Sequence, residues 1–184
     1  ISQSWIRVSG SLLMAGAGKK IIIIDDVELN RTILGEAFSK KYEVIEASDG
    51  EEGLEKIMAN KDDLAAIFLD IIMPEMDGFS VLAELERNQI MRSVPLFIIT
   101  TETTDYVVEH AYDYGVIDVI QKPFNLLIIE RRVANIIELF ENRTRLEKMF
   151  AQKNNSIDSS KAQEEIKKYR NAIEQISGII EKVK

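Results

Sequence analysis

The chain has 184 residues, 46% of them hydrophobic, with 31 acidic and 23 basic side chains, one histidine and no cysteine. That length and apolar content suit one globular core with a tail and exclude a disordered chain. The lack of cysteine excludes disulfides, thiolate zinc sites, iron–sulfur clusters and a cysteine nucleophile, and the formal charge of −8 argues against direct nucleic-acid binding.

The charge is uneven. Residues 1–124 carry 11 Lys/Arg and 22 Asp/Glu, a net of −11, whereas residues 125–184 carry 12 and 9, a net of +3. No apolar run approaches the ~18 residues that cross a bilayer, so a cytoplasmic protein without a membrane partner is expected. Residues 1–18 lack both a clear period and the ordered regions of a signal peptide. Met14, followed by Ala-Gly-Ala-Gly, resembles a natural start, so this stretch reads as a leader outside the fold.

From Lys19 to Phe124, short apolar runs alternate with helical stretches. Strands are expected at Ile21–Ile24, Tyr42–Ile45, Ala65–Leu69, Leu96–Ile99 and Val116–Ile120. Three of these are continuously apolar, as strands covered by helices on both faces must be. Between them, Leu29–Lys40, Gly50–Asn60, Gly78–Asn88 and Asp105–Tyr114 place apolar residues at three- and four-residue spacing. Such alternation predicts right-handed βαβ units and a doubly wound parallel α/β sheet.

After Pro123 the strands stop. Asn125 is suited to cap a long helix over 125–153, with Ile129, Val133, Ile136 and Phe140 as its inner stripe. Residues 154–160 form a polar hinge. Over 161–184, Ile166, Tyr169, Ile173, Ile176, Ile180 and Val183 recur in a heptad pattern, which predicts a helix with one apolar seam. The expected use of that seam is parallel pairing with a second copy, against packing on the chain's own core.

The residues that carry chemistry sit where the expected strands end. Asp25 and Asp26 follow the first, Asp70 the third, Thr100 the fourth, and Lys122 the fifth, just before Pro123. In an open parallel sheet, ligands bind outside the carboxyl ends of the strands. Three crowded carboxylates call for a hard cation, and Mg2+, with oxygen ligands and retained waters, suits them better than calcium. A cation, a lysine, a hydroxyl and one carboxylate left to attack make a site built to take up a phosphoryl group.

These motifs resemble the receiver domain of bacterial two-component response regulators. The resemblance rests on Asp25-Asp26, on Asp70 with Met73-Pro74-Glu75-Met76-Asp77-Gly78, on Thr100, and on Lys122-Pro123-Phe124. It covers residues 19–124 and implies a flavodoxin-like five-stranded sheet of order 2-1-3-4-5 with a helical C-terminal extension. It further implies that Asp70 is the phosphoacceptor, and that Asp25, Asp26, Asp70 and the backbone carbonyl of Ile72 hold Mg2+. Thr100 and Lys122 would contact the phosphoryl group, with Pro123, Asp77 and Gly78 structural. The implied partners are a sensor histidine kinase and a second copy, with an output domain or protein unspecified. The implied chemistry is self-phosphorylation and autodephosphorylation, not turnover of a separate substrate.

Two positions depart from the family pattern. Val119 stands where a switch aromatic is usual, and Thr101 where alanine or glycine is common. Asp77-Gly78 reads as a turn and helix cap, Met73 and Met76 as loop packing, and His110 as a solvated helix histidine. Haloacid-dehalogenase phosphatases require Asp-x-Asp, not adjacent acids, and a flavodoxin phosphate loop is missing. An unphosphorylated pseudo-receiver scaffold would lack Asp70 or Lys122, and both are present. The pattern of Arg131-Arg132-Val133-Ala134-Asn135-Ile136-Ile137-Glu138-Leu139 resembles receivers joined to cyclic-di-nucleotide domains.

Overall fold

A computed structural model describes residues 19–154, 164 and 166–174. The expected leader, most of the polar hinge and the heptad beyond residue 174 lie outside the described residues. Five strands, β1 (Lys20–Ile24), β2 (Glu43–Ala47), β3 (Leu64–Leu69), β4 (Leu96–Thr100) and β5 (Asp118–Gln121), alternate with five helices. These are α1 (Glu28–Phe38), α2 (Gly50–Asn60), α3 (Gly78–Arg87), α4 (Asp105–Asp113) and α5 (Leu126–Asn154). The sheet is parallel throughout, in the order β2-β1-β3-β4-β5.

The apolar strands divide their side chains by alternation. Ile22, Ile24, Ile67, Leu69, Leu96 and Ile98 join Ile57 of α2, Val81, Leu82 and Leu85 of α3 and Ala111 of α4 in one core layer. Ile21, Ile23, Ala66, Phe68, Phe97 and Ile99 pack on the other face against Leu34 and Phe38 of α1 and against α5. Stacked rings run through this second layer, with Phe38 to Phe68 centroids 5.1 Å apart and Phe68 to Phe97 5.4 Å apart. Burial on both faces explains why β1, β3 and β4 need no polar alternation, while edge strand β2 exposes Glu43 and Glu46.

Helix starts follow the expected chemistry. Asp49 accepts from the Glu52 N–H at 2.8 Å, Asp77 from Ser80 N–H at 2.8 Å, and Asn125 from Leu127 N–H at 3.0 Å. At the other end, α4 closes through a left-handed Gly115 (φ +85°), with Gly115 N–H donating to Tyr112 O and Val116 N–H to Ala111 O. That paired arrangement satisfies two terminal carbonyls and suits the absence of a Cβ. Gly78 is needed for a different reason. A Cβ there would lie 2.5 Å from Asp70 O and 2.7 Å from Ile71 Cα, so α3 starts pressed against the chain leaving β3.

Asp118 of β5 and Arg132 of α5 make an ion-pair contact the sequence reading did not anticipate. The Asp118 carboxylate is buried, and its Oδ2 meets the guanidinium without hydrogen-bond alignment. Burial pushes its pKa up; Arg132 and the Val119 amide only partly offset that.

Past the sheet, α5 changes character. Ile129, Val133, Ile136, Ile137 and Phe140 are buried, but from Glu141 to Ala151 no residue is. A further helix, α6 (166–174), turns back on this stretch: the Tyr169 ring meets Phe150 edge-on, with centroids 4.5 Å apart at 70°. The described part of the heptad seam thus faces the chain's own α5, which differs from the parallel two-chain arrangement expected from periodicity. Heptad spacing specifies which side of a helix is apolar and is silent on the partner. Among the described residues, no helix is long and apolar enough to cross a membrane.

Two consequences are measurable. Gly78→Ala should destabilise the fold by ~1–3 kcal/mol, because backbone atoms must shift to admit the methyl; urea unfolding at constant m-value checks this. Asp118 has a folded pKa raised above its ordinary 3.8, so its contribution is present below that value and lost as pH rises through the folded value. Asp118→Asn should therefore flatten the fall in stability with rising pH across and above the carboxylate range. Thermal melts from pH 3 to 7 that keep the wild-type slope would contradict it.

Candidate functional site

Backbone pairing brings the chemistry-bearing residues together. Asp25 N–H donates to Ala47 O of β2 at 3.2 Å, Asp70 N–H to Ile24 O of β1 at 2.9 Å, and Lys122 N–H to Thr100 O of β4 at 2.9 Å. Each is thus fixed by a hydrogen bond to a neighbouring strand at the point where its own strand ends. Side chains held there converge on the carboxyl edge of the sheet, where the strand order reverses between β1 and β3.

Asp25 and Asp70 are 2% and 6% exposed, which is unusual for carboxylates without partners. Asp25 Oδ1 accepts from Val27 N–H at 2.9 Å and from Asn30 Nδ2 at 3.0 Å, and Asp70 Oδ1 accepts from Ile72 N–H at 3.0 Å. Lys122 Nζ supplies the remaining partner to both, donating to Asp25 Oδ2 at 2.6 Å and to Asp70 Oδ2. Burial alone would lower the ammonium's pKa, but the hydrogen bonds and charges of Asp25 and Asp70 outweigh it, and the net shift is upward. The two carboxylates thus favour the charged form of Lys122.

Asp26 completes the cluster from the exposed side. One carboxylate oxygen from each of Asp25, Asp26 and Asp70 lies within 4.8 Å of the others. Two of the three share one ammonium, and the third has solvent access. An all-oxygen, surplus-negative, one-side-open donor set fits a small hard cation that keeps waters.

The other expected residues occupy defined places. Thr100 ends β4, is fully buried, and accepts from Glu102 N–H at 3.2 Å. Ile72 follows Asp70 in the loop and is 50% exposed. Pro123 follows Lys122 through a cis peptide bond. Asp77 caps α3, Gly78 opens it, and Met73 and Met76 pack into the adjoining core layer. Val119 is half-buried against that same layer and pairs in register with Ile98.

Several features were not evident from spacing. Asn30 and Arg31 hold Asp25, the first through its carboxylate and the second through a 2.8 Å hydrogen bond to its backbone carbonyl. Their position one turn into the following helix is a retrospective signal only. Tyr112 of α4 has its phenol pKa raised, first by burial and then by the Asp118 charge, with the Val119 amide and Arg132 only partly offsetting this. His110 is half-buried rather than simply solvated. Its ring lies 4.7 Å from Phe79, 5.2 Å from Tyr114 and 5.7 Å from Tyr106 by centroids, an aromatic cluster bridging α3 and α4.

Comparison with known proteins agrees with this geometry. The family model for the response regulator receiver domain matches residues 21–134. The alkaline phosphatase synthesis transcriptional regulatory protein PhoP of Bacillus subtilis is 34% identical over 124 residues, which are 67% of this chain and 50% of that protein. A probable cyclic di-GMP phosphodiesterase of Vibrio cholerae is 26% identical over 113 residues, 61% of this chain and 25% of that protein. Among solved structures, the Vibrio cholerae chemotaxis protein CheY4 superposes with a TM-score of 0.58 at 26% identity, over 64% of this chain and 97% of that one. The chain thus spans half the length of the first relative and a quarter of the second. A receiver-family match over most of the described core, on a sheet of order 2-1-3-4-5 with the acidic cluster at its carboxyl edge, means that this chain belongs to the response regulator receiver family.

Proposed function

We propose that the chain is a phosphoryl-accepting switch in which Asp70 takes a phosphoryl group from the phosphohistidine of a sensor kinase in the cytoplasm. The carrying observation is the pairing at Asp70: a nearly buried carboxylate with one oxygen on the Ile72 amide and the other on the Lys122 ammonium. In the transfer, an Asp70 oxygen bonds to phosphorus as the phosphorus–nitrogen bond of the donor breaks, and the imidazole leaves as its neutral base or takes up a proton. Loss of the group is attack by water on the same phosphorus, returning the carboxylate and phosphate. No separate substrate is turned over.

Asp25, Asp26, Asp70 and the Ile72 carbonyl are the residues that would hold Mg2+, which supplies charge neutralisation to the phosphoryl oxygens when bound. The chain's own groups do the rest. Asn30 and the Val27 amide orient Asp25, leaving its second oxygen for Lys122. Lys122 is held between two carboxylates and can follow the added negative charge at Asp70. The Thr100 hydroxyl, buried one strand away, is the donor suited to a phosphoryl oxygen. Asp77, Gly78 and Pro123 set the loops around the site. The output is altered dimerisation or partner contact, and the match to a cyclic di-GMP phosphodiesterase supports an output domain of that class in a longer protein.

Incubation with acetyl phosphate and Mg2+, read by intact mass, tests the reading. Wild type should gain one phosphoryl group and Asp70→Asn none. Asp25→Ala should need at least about tenfold more Mg2+ for the same uptake. Lys122→Ala should still be phosphorylated while losing the change in association state that follows. A wild-type protein that never gains the group would instead mark an unphosphorylated scaffold.

A further inference from the structure

Asp26 is the member of the carboxylate cluster with the least support. Asp25 and Asp70 are nearly buried, and their carboxylates are bonded to amides and to Lys122. Asp26 is exposed and lies one residue further from the end of β1. Its place is set by the peptide that carries it. A peptide group is planar, so fixing the Asp25 carbonyl fixes the plane that leads into Asp26.

Arg31 holds that carbonyl. From the first turn of α1 its Nη1 donates to Asp25 O at 2.8 Å, and its Nε donates to Glu46 Oε2 of β2 at 3.1 Å. Glu46 pairs in register with Ile23, whose side chain lies in the same core layer as α1, so the carboxylate stands on the α1 side of the sheet. The Arg31 side chain is only 14% exposed. Asp25 N–H meanwhile donates to Ala47 O, so both main-chain polar groups of residue 25 are tied to β2, one directly and one through Arg31. A rigid planar fork serves two acceptors in fixed directions, which the flexible stem and point charge of a lysine do not reproduce.

Glu46 has a second effect. A guanidinium beside three carboxylates would ordinarily pair with one of them. Among the described residues, Arg31 makes no ion pair with Asp25, Asp26 or Asp70, and its carboxylate partner is Glu46. The positive charge is thus held at the backbone of the site and kept off the oxygens that face the cluster.

We infer that Arg31 is a positioning residue for the cation site: by holding the Asp25–Asp26 peptide it gives Asp26 its place in the cluster, and so sets the preference for Mg2+ over Ca2+. This deepens the Mg2+ reading of the site and rests on it. Mg2+ demands near-ideal octahedral geometry, whereas Ca2+ accepts a looser one. Loosening one of three carboxylates therefore costs Mg2+ more than Ca2+.

Calorimetric titration of the full chain with Mg2+, and separately with Ca2+, tests this. Arg31→Ala should weaken Mg2+ binding at least about tenfold and Ca2+ binding by less, so that the ratio of the two affinities falls. Field effects alone predict the opposite sign, because removing a positive charge strengthens the binding of any cation. A role confined to fold stability would lower the thermal transition in cation-free buffer and leave the ratio unchanged. Arg31→Lys keeps the charge and should fall between wild type and Arg31→Ala, which carries the test even where the alanine variant folds poorly. In an Asp26→Asn background, Arg31→Ala should cost little further, since the group it positions is already lost. The inference is overturned by an Arg31→Ala variant that binds Mg2+ as well as or better than wild type, or by an equal loss for both ions. It is equally overturned by an Arg31→Lys variant with wild-type Mg2+ affinity, or by a full tenfold loss that persists in the Asp26→Asn background. A wild type that binds no Mg2+ would overturn the cation reading itself and this inference with it, whereas a binding wild type with indifferent variants overturns the inference alone.

Discussion

One ammonium shared by two nearly buried carboxylates is the constraint around which the carboxyl edge of the sheet is arranged. Lys122 lies between Asp25 and Asp70, with a third acid, Asp26, beside them. Removing two carboxylates from water is costly, and a charge left unpaired there would be costlier still. The cluster persists because β1, β3 and β5 each end at its rim and because backbone amides take up the remaining lone pairs. The net charge stays negative all the same. Such a surplus is costly to hold together, and it gives this edge of the sheet the sign of charge that attracts a cation.

The rest of the chain holds that edge open without letting it move freely. Isoleucine and leucine fill one sheet face and isoleucine and phenylalanine the other, so a shift of one strand end has to displace packed neighbours. Gly78 admits α3 to within van der Waals contact of the Asp70 carbonyl, and the Asp77 cap fixes where that helix begins. Removing the side chain at residue 78 is therefore a positioning device for residue 70. Function and packing meet at one glycine.

Much of this was legible in the sequence, for identifiable reasons. Strands covered on both faces must be apolar throughout, which made β1, β3 and β4 visible as runs; apolar spacing marked the helices, and the capping residues Asp77 and Asn125 marked the starts of α3 and α5. Strand boundaries drifted where an edge strand mixes polar and apolar residues: β2 begins one residue later than expected and runs to Ala47. The carboxylates, threonine and lysine could be grouped because strand ends of a parallel sheet share one edge. What spacing could not reveal were contacts between segments far apart in the chain. Asp118 with Arg132 and the Phe79–His110–Tyr114 cluster depend on the packing of neighbouring elements, and each residue alone looks like an ordinary surface choice. The apolar seam at Ile166, Tyr169 and Ile173 was visible as a stripe, but its partner was a matter of folding back, which periodicity does not encode.

The route from the charged edge to α5 is short in sequence and stiff in structure. Lys122 and Asn125, the α5 cap, are separated by Pro123 and Phe124 alone, and Phe124 packs into the same layer as α5. From that cap α5 runs 29 residues, roughly 43 Å at 1.5 Å per residue, the first half anchored on the sheet and the second half free of it. Arg132 ties the anchored half to β5, the strand that delivers Lys122. α5 is thus gripped at its start by the sheet, and its second half meets α6 instead. Val119, in place of a large aromatic, leaves the β5 surface without a bulky ring, and residues 122–126 connect the site directly to the start of α5.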